Sequence, residues 1–153
     1  MKTLAIVILL TFLDGCATVQ LSAYQKASTA ATPPTLRPGQ KWAIVLLDGE
    51  GHVWKTLVVR LTNIPIRTCD SDNDRQLDVI SESVGKGPLL NSPVYEVSGA
   101  AMRMQLSSTA CDGGYGVIGG VSDSGFEGVH MPEVLFAPKH STSGRAYGLP
   151  IPD

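Results

Sequence analysis

Residues 42–49 read Trp42-Ala43-Ile44-Val45-Leu46-Leu47-Asp48-Gly49, an unbroken apolar run stopped by an aspartate and a glycine. Such a run predicts a strand that is apolar on both faces. Asp-Gly directly behind it is a strong short hairpin signal, and Gly51 can absorb a bulge. The return strand is expected from His52 to Leu61. Period two puts Val53, Leu57, Val59 and Leu61 on one face, interrupted by Lys55, and Trp54, Thr56, Val58 and Arg60 on the other.

The same alternation continues downstream. Asn63 to Arg75 reads as irregular, because Pro65 blocks a central strand and Asp70-Ser71-Asp72-Asn73-Asp74 calls for water. Leu77 to Ser81 is a short strand, and Gly85 to Ser92 a loop. Val94-Tyr95-Glu96-Val97 pairs with Ala101 to Leu106 through Ser98-Gly99-Ala100, with Met102, Met104 and Leu106 inward and Arg103 and Gln105 outward. Further strands are expected at Tyr115 to Val121, Gly125 to Met131, Pro132 to His140 and Arg145 to Leu149. Gly119, Gly128 and Gly148 fall inside them. Glycine within a strand marks a bulge or a sharp bend, and repeated bends in short strands let a small sheet close on itself. The expected fold is therefore all-β, a small antiparallel barrel of about eight strands, with a β-sandwich as the alternative. After residue 40 there is no amphipathic stretch long enough for a helix.

The N-terminus has a different character. Lys2 precedes an apolar stretch, Leu4 to Leu13, that suits a signal peptide and is too short to span a bilayer. Leu13-Asp14-Gly15-Cys16 closes it. This resembles the lipobox of bacterial lipoprotein signals, with Asp14 where a small uncharged residue is usual. The resemblance implies that a diacylglyceryl group is attached to the Cys16 thiol. It also implies that the chain is cut before Cys16 and that the new N-terminus takes a further fatty acyl chain such as palmitate. Several acyl chains hold a protein on a membrane far better than one. Ala17, where an aspartate would favour the inner membrane, implies the outer membrane, with the domain facing the periplasm. Residues 17–40, rich in Ala, Ser and Thr and carrying Pro33, Pro34 and Pro38, read as a tether. The expected division is a signal peptide over 1–15, a lipidated cysteine and tether over 16–40, and one β-domain over 41–153.

The formal net charge is −2, with no basic stripe, so nucleic acid is not an expected partner. Setting Cys16 aside leaves Cys69 and Cys111, each just past an apolar run and followed by an aspartate. In an oxidising compartment they are expected to form a disulfide. Neither has a CxxC neighbour or a nearby histidine, which speaks against a redox or metal pair.

Motifs for chemistry are sparse. His52, His130 and His140 stand singly, outside any ligand spacing, and read as surface or strand-face residues. The chain carries no nucleophile elbow, P-loop or dinucleotide fingerprint. Asp70, Asp72 and Asp74 imitate the start of a calcium loop, but Arg75 stands where that loop needs glycine and Ser81 where it needs a bidentate glutamate. Ser143-Gly144-Arg145-Ala146-Tyr147 resembles the S-G-x-x-Y motif of bacterial lysozyme inhibitors, some of which are lipoproteins built on a small β-barrel. That resemblance implies that Ser143 and Tyr147 contact a partner, hydrogen-bonding around the catalytic carboxylates of a lysozyme. The family's second aromatic and basic motif is missing behind it. The expectation is a non-enzymatic binding role in the cell envelope, for a protein or a small apolar ligand, without cofactor, metal or catalytic residues. An inhibitor or immunity protein against a wall-degrading enzyme is one specific form of it, and a structural envelope lipoprotein is the plainer alternative.

Overall fold

The computed structural model describes residues 34–69, 71–83, 90–107, 113–134 and 144–152. Eight strands follow one another: β1 (Lys41–Leu47), β2 (Val53–Pro65), β3 (Arg75–Glu82), β4 (Val94–Ser98), β5 (Ala101–Gln105), β6 (Gly113–Ser122), β7 (Gly125–Val134) and β8 (Gly144–Ile151). Each pairs antiparallel with the next, and β8 returns to β1 from Lys41↔Ile151 to Leu46↔Ala146, closing the barrel. The sandwich alternative is excluded.

Period two explains the core. Trp42, Ile44 and Leu46 of β1 and Leu57, Val59 and Leu61 of β2 are buried together with Leu77, Tyr95, Met102, Met104, Leu106, Val117 and Phe126. The outer face carries the charges, among them Arg60, Asp78, Glu96, Glu127 and Arg145. Apolar inside and charged outside is the reverse of a membrane-spanning barrel.

Glycine allows the sheet to curl. Gly119 and Gly128 face each other across β6 and β7. A Cβ on Gly119 would lie 2.2 Å from the Glu127 carbonyl oxygen, and one on Gly128 2.1 Å from that of Ile118. No side chain fits between these backbones. Gly148 instead leaves room for Phe126 and Trp42, which an added Cβ would meet at 3.2 and 3.4 Å.

Several boundaries differ from expectation. The β1–β2 turn runs from Asp48 to His52, with Gly51 left-handed at φ 89°, so Asp48-Gly49 opens a longer turn and is not itself the whole of it. β2 continues to Pro65, which pairs with Arg75 only at the strand end. β7 passes through Pro132 to Val134, so no separate strand begins at Pro132. Residues 34–40, expected as tether, are bonded to the barrel: the Thr35 amide donates to Asp123 Oδ1 at 2.7 Å, the Gly39 amide to the Leu61 carbonyl at 2.8 Å, and Leu36 packs on the core.

Alternating connections give the barrel two unlike ends. The lower end holds the incoming segment 34–40, the short turns 99–100 and 123–124, and the 66–74 connection. The upper end holds the 48–52 turn and the strand ends Glu82, Val94, Gln105, Gly113, Val134 and Gly144.

Candidate functional site

At the upper mouth polar and aromatic groups replace the aliphatic core. A register shift between Leu46 and Leu47 opposite β2 makes Trp54 an extra residue in the ladder. A bulge of this kind turns two successive side chains toward one face. Lys55 pairs with the inward Leu46, and Trp54 packs against the core beside it. Trp54, expected on the outer face, is thus brought inward. Its ring stacks on His130 with centroids 5.1 Å apart and planes 15° apart, and it lies tilted against Tyr115 at 5.3 Å.

His130 faces inward from β7 and is 1% exposed. A carbonyl oxygen only accepts, so the 2.6 Å contact to Leu47 places a hydrogen on Nε2. The neutral ring then accepts at Nδ1 from the Tyr115 hydroxyl, also at 2.6 Å. Burial pushes the His130 pKa down, opposed by the Leu47 bond, and burial pushes the Tyr115 hydroxyl well up. Both groups hold their neutral forms, which is what their hydrogen bonds require.

Lys55 completes the mouth. Its side chain is 6% exposed and its Nζ lies 2.5 Å from Glu82 Oε2, whose own side chain is 45% exposed. One partner of this ion pair sits in the barrel and the other at its rim.

The outer rim carries the β1–β2 turn. The Asp48 carboxylate accepts the amides of Glu50 and His52 at 3.0 and 2.9 Å. The His52 amide bond, more than any other contact, holds the Asp48 pKa below its ordinary value. Asp48, Glu50 and His52 lie close enough to meet one ion, although Oδ1 of Asp48 already accepts both turn amides.

The remaining expected site residues scatter. Tyr147 stands in regular β8, half-buried on the outer face, where Arg145 Nη1 donates to its hydroxyl at 3.2 Å. It lines a shallow apolar trough with Leu149 over a floor of Gly120 and Gly125, not the core and not a loop. Ser143, Cys111 and Cys16 lie outside the described residues. The acidic run is solvated only in part: Asp72 and Asn73 are exposed, Asp70 lies outside the described residues, and Asp74 departs from the expectation. Asp74 is 1% exposed, with Oδ1 and Oδ2 at 2.8 and 3.0 Å from Arg103 Nη2 and a further bond from Thr68. Asp72 pairs with Arg67 at 2.9 Å. Asp72 and Asp74 are thus each engaged by a different arginine. Asp74 reaches Arg103 of β5, whose side chain is 15% exposed, and Gln105 is buried as well, although alternation alone would leave both in water.

Sequence reading missed the mouth as a cluster. Lys55 was its one visible signal, a charge on an otherwise apolar face; the His130–Tyr115 contact needs the closure that brings β6 and β7 against β1 and β2. No family model, curated protein or solved structure matches this chain.

Proposed function

We propose that this chain is a periplasm-facing lipoprotein of the outer membrane, anchored through Cys16, whose barrel is a non-enzymatic binding module meeting an envelope protein at its upper rim. One observation carries this reading: the chain enters at the lower end, tied there by Thr35 to Asp123 and Gly39 to Leu61, while four of the seven strand connections, the longest one after β3 included, leave from the opposite end. A domain hung from its lower end presents those connections away from the anchor. Strands fixed by packing leave recognition to such connections.

The test is site-specific photocrosslinking in intact envelopes. A crosslinker at Glu50, on the upper turn, is expected to capture a discrete partner. One at Ser124, on the lower turn, is expected to capture none. Adducts from Ser124 alone, or from neither position, contradict the reading.

A disulfide between Cys69 and Cys111 belongs to the same proposal. Two features support it. Asp74, five residues beyond Cys69, is bonded to Arg103 of β5, and Gln105, the next outward residue toward Cys111, is buried as well. Closing this loop stabilises the fold by about 3–4 kcal/mol in the chain-entropy model. A non-reduced digest should yield the two cysteines in one linked peptide; two alkylated thiols in the exported protein would remove the pairing.

A further inference from the structure

We infer that the upper mouth of the barrel is a binding site for a small organic anion with an aromatic or apolar body, held by Lys55 and the Trp54 ring, with Glu82 as the counter-ion it displaces. The inference extends the binding-module reading but does not depend on the lipid anchor or on a protein partner.

Lys55 is an unusual residue to find inside a packed barrel. Its neighbours on the inward face of β2 are Leu57, Val59 and Leu61. An ammonium carries three donors, and among the described residues Lys55 meets one partner, Glu82. Burying a charge is costly unless it is paired and hydrogen-bonded. A structural role alone would be served as well by another aliphatic side chain at this position. What the lysine adds is a cation with unspent donors, tied to a carboxylate at the rim.

Its partner is placed to leave. Glu82 is the last residue of β3, and its carboxylate is already half in water. Exchanging it for another anion keeps Lys55 paired and returns Glu82 to solvent. The exchange therefore never exposes an unpaired buried charge. Trp54 precedes Lys55 at the bulge, and its half-buried ring meets the half-buried ring of Tyr115 at 5.3 Å. His130 locks them in place through its stacking and its bond to Tyr115. A fixed aromatic surface next to a cation fits a ligand that has a flat or apolar body and one acidic group.

The probe pair is 1-anilinonaphthalene-8-sulfonate and the neutral N-phenyl-1-naphthylamine, two dyes that differ by the anionic group. The protein is the chain from residue 16 with Cys16→Ser, so that no lipid or detergent takes up dye. The sulfonate is expected to bind at one site about tenfold more tightly than the neutral dye, the ratio that one charge-assisted contact supplies, and to quench the tryptophan emission. Lys55→Met should abolish that preference. Glu82→Gln should tighten the sulfonate several-fold and leave the neutral dye unchanged, because the competing carboxylate is gone. Equal affinities for the two dyes in the wild type would overturn the inference. So would a Lys55→Met protein that keeps the preference, or a Glu82→Gln protein with unaltered or weaker sulfonate binding. If Lys55→Met does not fold, as judged by circular dichroism, the Glu82→Gln result decides alone. Leu149→Ser, in the outer trough, is expected to leave sulfonate binding intact; its loss there would assign the dye to the trough and overturn the site at the mouth. Crosslinking from Glu50 in the Lys55→Met background separates this inference from the protein-partner reading.

Discussion

The imidazole of His130 joins two strands that never pair: from β7 its Nε2 donates to the carbonyl oxygen of Leu47 on β1, 2.6 Å away, across the start of β8. The bond fixes the ring as a neutral tautomer and ties β7 to β1 at the upper mouth. It also makes the fold sensitive to acid. Burial keeps the pKa of this histidine below its ordinary 6.5, so the unfolded chain takes up the proton first as pH falls. Stability is full above about pH 6.5 and declines below it until the folded ring itself protonates. The melting temperature should fall between about pH 7.5 and 5.5, and His130→Gln should flatten that part of the profile. A slope unchanged by the substitution would place the acid sensitivity elsewhere.

The same bond explains Gly144. An added Cβ there would sit 2.4 Å from His130 Nε2 and closer still to the Leu47 carbonyl oxygen. Gly144→Ala should cost at least about 1–3 kcal/mol, the range for forcing extra atoms into a packed core. Gly120, with nothing nearer than 3.9 Å to its added Cβ, is the control. Gly120→Ala should be neutral or stabilising by about 0.5 kcal/mol, since alanine loses less freedom on folding. Urea unfolding of the two variants measures the contrast, and equal effects would remove the explanation.

How far the residues foretold this molecule depends on which force placed each one. The inward rows, such as Met102, Met104 and Leu106, follow from alternation because burial of apolar surface decides them locally. Gly119 and Gly128 announced a bend because only glycine tolerates backbones so close. Trp54 was misplaced because one extra residue in the ladder reverses every face beyond it, and its cause is the register of β1 against β2. Asp74 was misread for a related reason: an acidic run looks solvated until a guanidinium from a strand far along the chain is brought over it. Tyr147 has the alternation of a strand residue but no local feature that says inside or outside. Its outward place comes from Ala146 and Gly148 facing the crowded interior. The mouth cluster draws on β2, β3, β6 and β7, so no single stretch of sequence contains it.

The Asp74–Arg103 pair should matter more than any surface ion pair here. Both carboxylate oxygens are within 3.0 Å of the guanidinium, and the Asp74 side chain is 0% exposed. Asp74→Ala leaves a mostly buried arginine without its main partner and frees segment 66–74, at an expected cost of about 3 kcal/mol or more. Arg60→Ala breaks the Arg60–Asp78 pair, open to water on both sides at 3.4 Å, and should cost less than about 1 kcal/mol. Chemical denaturation of both variants gives the comparison; similar losses would mean that segment 66–74 is not held by this pair.

The envelope placement proposed for this protein starts from Cys16, and the mass of the mature chain tests it most directly. Intact mass spectrometry of the protein extracted from membranes should give residues 16–153 carrying a diacylglyceryl group and an additional acyl chain. An intact Met1, or a mature N-terminus without lipid, would contradict the account.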